Sequence, residues 1–77
     1  MMANNSEVLL RWIRVAQNRE NHELTKVLWF ARDMIDGITA FDDPEKVDEM
    51  KPKITAAFDT MNQDNEELIG IRKELGL

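Results

Sequence analysis

The chain has 77 residues, no cysteine, one histidine and a net charge of −5. Its length suits one domain and leaves no room for a second. The missing cysteines exclude disulfides and thiolate metal sites, and a lone histidine excludes an imidazole-rich zinc site within one subunit. A domain of this size buries only about 60–65% of its unfolded surface. With staples and metals set aside, stability must come from close helix packing or from self-association, and self-association is the expectation carried forward.

The charge is uneven. Residues 1–41 carry five bases and five acids, whereas residues 42–77 carry five bases and ten acids. An acidic second half repels a phosphate backbone, so general nucleic-acid binding is disfavoured. No stretch approaches the ~20 apolar residues of a membrane span. Met1 to Ser6 lack the basic-then-apolar plan of a signal peptide. Together with the missing cysteines, this points to a cytoplasmic protein.

Glycine and proline are scarce and β-branched runs are absent, so helical periodicity sets the expectation of an all-α domain over residues 1–77, with residues 1–5 a flexible N-terminus. Asn4 and Glu7 have capping-box spacing, which starts a first helix near Asn4 to Ser6. Leu9, Trp12, Ile13 and Ala16 then form one apolar face, widened by Val8 and Val15, while Arg11, Arg14 and Asn18 face away. The polar stretch Gln17 to Glu23 contains neither glycine nor proline; a break is expected near Asn18–Asn21.

A second helix is expected from about Asn21 to Phe41. Leu24, Leu28, Ala31, Ile35 and Ile38 make one row, and Val27, Phe30, Met34 and Phe41 an adjacent one. A helix buried on one side needs only about a 100° stripe, so these two rows predict neighbours on two sides. Gly37 falls inside the pattern, which suggests close packing or a bend there. Asp43-Pro44-Glu45 then reads as an N-cap acid, proline at N1 and an acid in the first turn. That opens a short segment to about Met50, which Pro52 interrupts. A last helix is expected from Pro52 to Leu75, ending near Gly76. Ile54, Met61, Leu68 and Leu75 recur every seven residues along it, with Ala57, Asp64 and Ile71 between them and Phe58 alongside. Asp64 interrupts this seam and Asn65 lies beside it, where polar residues either fix register or face water.

No catalytic, cofactor-binding or metal-ligating residue is nominated. His22 has no nucleophile or further nitrogen ligand nearby. Glu20 with Glu23, and Asp33 with Asp36, have the spacing of acids that gather Mg²⁺ in helical hydrolases, but the wheel turns Asp33 and Asp36 towards the polar side. The run Asp42, Asp43, Glu45, Asp48, Glu49 lacks the glycine and closing glutamate of a calcium loop. It could instead face a basic partner. Trp29 lies off both rows of the second helix with Arg32 one turn away, and tryptophan is enriched at interface centres.

These observations lead to a helical hairpin or bundle of three to four helices, assembled as a dimer or higher oligomer. Its function would be to bind another protein as a regulator or inhibitor, a style found among phage and mobile-element proteins. The interface candidates are Trp29, Phe30, Arg32 and Phe41, and the seam residues Ile54, Phe58, Met61, Leu68, Ile71 and Leu75. The alternatives are a metal-dependent nucleotide hydrolase using Glu20, Glu23, Asp33 and Asp36, and a DNA-binding regulator using Arg11, Arg14 and Arg19.

Overall fold

The computed structural model describes residues 4–38, 43–61 and 66–77, and within them the backbone forms α1 (Asn5–Asn18), α2 (His22–Asp36), α3 (Pro44–Met61) and α4 (Glu66–Leu75), with no strand. The starts of α1, α2 and α3 carry N-cap side chains of the kind that satisfy free helix-end N–H groups. Asn4 Oδ1 accepts from Ser6 N at 2.8 Å, Asn21 Oδ1 accepts from Leu24 N at 3.1 Å, and Asp43 Oδ1 accepts from Lys46 N at 3.1 Å.

The helix ends explain why some boundaries were legible and others were not. At α2 the N–H of Gly37 donates to Met34 O and that of Ile38 to Asp33 O, with Gly37 at φ 70°. At α4 the N–H of Gly76 donates to Lys73 O and that of Leu77 to Arg72 O, with Gly76 at φ 75°. Both are Schellman closures with glycine in the left-handed position. Gly37 therefore ends α2 rather than bending it, and the helix stops at Asp36 instead of continuing to Phe41, which lies outside the described residues. The end of α1 uses the same closure, Glu20 N to Gln17 O and Asn21 N to Ala16 O, but the left-handed residue is Glu20 at φ 56°. The break expected near Asn18–Asn21 is thus present, and it is built without a glycine.

Two further expectations are corrected. Pro52 does not restart the chain, for α3 runs unbroken through it. Proline removes one helix hydrogen bond, here to the carbonyl of Asp48, and both residues are exposed where water replaces it. The inward register Met50, Ile54, Phe58 keeps the helix in place against the core. The last helix is not continuous from Pro52 to Leu75: α3 ends at Met61 and α4 begins at Glu66. Asp64 and Asn65 lie outside the described residues.

The helices run up and down. Ser6 at the start of α1 meets Arg32 and Asp36 at the end of α2, and Asn5 and Arg11 of α1 meet Glu74 and Glu67 of α4. The second helix touches α1, α3 and α4, so its apolar rows find neighbours in their own chain up to Ile35, whereas Ile38, expected in the first row, lies beyond the helix and is exposed. Leu9, Ile13, Leu28, Ala31, Ile54, Phe58 and Ile71 are fully buried where the four helices meet, with Trp12 edge-on to Phe58 at 6.2 Å between ring centroids. Val15, assigned by periodicity to the widened α1 stripe, is instead 49% exposed. The radius of gyration is 11.7 Å, close to the ~11.5 Å that chain length predicts for a compact domain. Among the described residues no helix is long and apolar enough to cross a membrane.

Phe58 is the largest fully buried side chain. Phe58→Ala should cost about 3–5 kcal/mol, a large share of a total stability on the order of 4–12 kcal/mol for a chain of this length, so urea denaturation should show a strongly lowered midpoint. Of the left-handed residues, Gly37 and Glu20 predict opposite signs. Gly37→Ala meets nothing within 4 Å but places a Cβ at φ 70°, and should be destabilised by about 1–2 kcal/mol of added backbone strain. Glu20→Gly should relieve similar strain and raise the melting temperature by a few degrees.

Candidate interaction surface

The α1–α2 edge carries the most developed polar cluster on the protein. Ser6, only 8% exposed, donates from Oγ to Asp36 Oδ2 at 3.1 Å. Arg32 Nε lies 3.0 Å from Ser6 Oγ and 3.2 Å from Ser6 O, donating to both, and 3.9 Å from Asp36 Oδ2. The guanidinium carbon lies 5.4 Å from the centroid of the Trp29 ring, within cation–π range. Each helix end thus braces the other: Ser6 fixes Arg32, and Arg32 stacks on Trp29. The indole remains 37% exposed, so it is presented to solvent by a held neighbour rather than swinging freely.

The other interface candidates fall into different places. Ile54, Phe58, Leu68, Ile71 and Leu75 are buried inside the single chain, while Phe30 and Met61 are partly buried and packed against that core. The seven-residue seam is therefore split. Its α3 half faces α1 and α2, and its α4 half folds back onto the same core. Phe41 lies outside the described residues. Arg72 ties the two halves together, donating to Asp59 Oδ1 at 2.7 Å and lying 5.6 Å from the Phe58 ring centroid. Sequence reasoning named Trp29 and Arg32, weighed Asp36 only for a metal pair, and missed Ser6 as their partner. Asp36 had a readable signal, an acid four residues after Arg32 on one helix face; Ser6 had none, because its partners lie 26 and 30 residues away.

The acids proposed for metal binding are not brought together. Glu20 lies in the turn before α2, Glu23 in its first turn and Asp33 and Asp36 in its last turn, so that Glu23 is about 15–20 Å along the helix from the second pair at ~1.5 Å per residue. Asp36 is engaged by Ser6 and Arg32, and among the described residues no group of three or more potential ligands clusters. The arginines proposed for DNA contact are interrupted by acid: Arg11 is paired with Glu67, and Glu7 lies one turn before it on the same face. His22 is exposed in the first turn of α2. The acids of α3 lie on the surface, where Glu49 is shared between Lys46 at 4.0 Å and Lys53 at 3.8 Å.

Apolar surface is left elsewhere as well. Ile69 on α4 is 62% exposed. Two open grooves of about 320 and 330 Å³ meet at Asn21, Leu24 and Thr60, one between α2 and α3 and one at the end of the bundle beside Trp12 and Val15. The polar groups at their junction already have internal partners, since Asn21 caps α2 and Thr60 Oγ1 donates to Ala56 O. The groove between α2 and α3 is mainly apolar, whereas Arg19 adds a charged group to the lining of the one beside Trp12. No family model, curated protein or solved structure matches the chain.

The brace is measurable. Ser6→Ala removes a buried hydroxyl bonded to two side chains and should cost about 1–2 kcal/mol. Arg32→Lys loses the planar fork and its stacking on Trp29, at about 1–2 kcal/mol. In a denaturation-based double-mutant cycle the two effects should be non-additive by about 0.5–1 kcal/mol or more; strict additivity would show that the cluster does not act as a unit.

Proposed function

We propose that this protein is a small acidic helical interaction module that self-associates, most simply as a dimer, and acts as a regulator or inhibitor by binding another protein. The observation that carries the reading is Trp29. A large aromatic ring is left partly in water, and its orientation is held by Arg32, which is held in turn by Ser6 and Asp36. Ordering interface side chains costs affinity, and an anchor ordered before contact lowers that cost. Tryptophan is among the residues most enriched at binding hot spots.

The surrounding features agree with a binding role. Leu10 follows Ser6 by one turn on α1, and Trp29 precedes Arg32 by one turn on α2, so the helical spacing places both on the edge that the Ser6–Arg32 contact defines. The first two helices also carry charges of both signs, Glu7 and Arg14 on α1 and Lys26 and Asp33 on α2. A mixed polar rim around an apolar centre is the usual anatomy of a protein–protein contact.

Sedimentation velocity of the whole chain at micromolar concentration should show a dimer. Trp29→Ala should dissociate it at least tenfold more readily while circular dichroism keeps the helical signal, because the ring is not part of the buried core. A wild-type chain that stays monomeric to high micromolar concentration would remove self-association from the proposal. If Trp29→Ala also failed to weaken capture of the partner recovered by wild-type chain, Trp29 would lose its role as anchor.

A further inference from the structure

We draw no further inference here: the strongest candidate, the open apolar groove that passes from between α2 and α3 at Leu24 and Val27 to the end of the bundle beside Trp12 and Val15, carries nothing because no feature of the structure shows what covers it.

Discussion

The fold depends on the burial of α2. Its apolar residues occupy more than one stripe, and leaving either row in water would cost about 1.5–3 kcal/mol for each large side chain. Leu28 and Ala31 end fully buried, Val27 and Met34 nearly so. No single neighbour could achieve this, and α2 accordingly lies against α1, α3 and α4 at once. The remaining helices need cover only one face each. The polar ties between elements are secondary: Arg11–Glu67 and Arg72–Asp59 are partly or largely exposed pairs, and such pairs contribute roughly 0–1 kcal/mol each. It is Leu68, Ile71 and Leu75 that hold α4 in place.

A chain this short must also reverse direction without wasting residues. Between α1 and α2 only Arg19 to Asn21 intervene. The preceding carbonyls are closed by Glu20 in the left-handed region and the following N–H groups by the side chain of Asn21. A non-glycine residue in this conformation is costly by about 1–2 kcal/mol, and it persists because the packing of α1 on α2 fixes the turn from both sides. The same packing creates the Ser6–Arg32–Asp36 cluster at the opposite end of the hairpin. The presentation of Trp29 is therefore a consequence of how tightly the first two helices are joined.

This arrangement changes where an interaction surface should be sought. The most apolar segments of the sequence suggest themselves as binding faces, yet most of their side chains are consumed in the core of one chain. Among the described residues a smaller set reaches the surface: Trp29 with its brace, Val15, Ile38, Ile69, Leu77 and the grooves beside Leu24. Hydrophobicity along the sequence measures the need for burial and says little about whether the chain or a partner supplies the cover.

Several features were legible in the residues alone. Periodicity identified the all-helical class, the caps Asn4 and Asp43 placed two helix starts, and the position of Trp29 off the apolar rows set it apart from the residues expected in the core. These follow from local rules, since a cap or a wheel position involves residues within a few places of each other. Tertiary contact decided the rest. Pro52 stays inside α3 because core packing outweighs one lost hydrogen bond, and the heptad seam from Ile54 to Leu75 is divided because α4 finds its cover on α1 and α2. Ser6 becomes Arg32's partner only when the hairpin closes. The sequence determined which faces must leave water; the folded chain determined which neighbours received them, because burial is non-directional and any apolar surface of the right shape will serve.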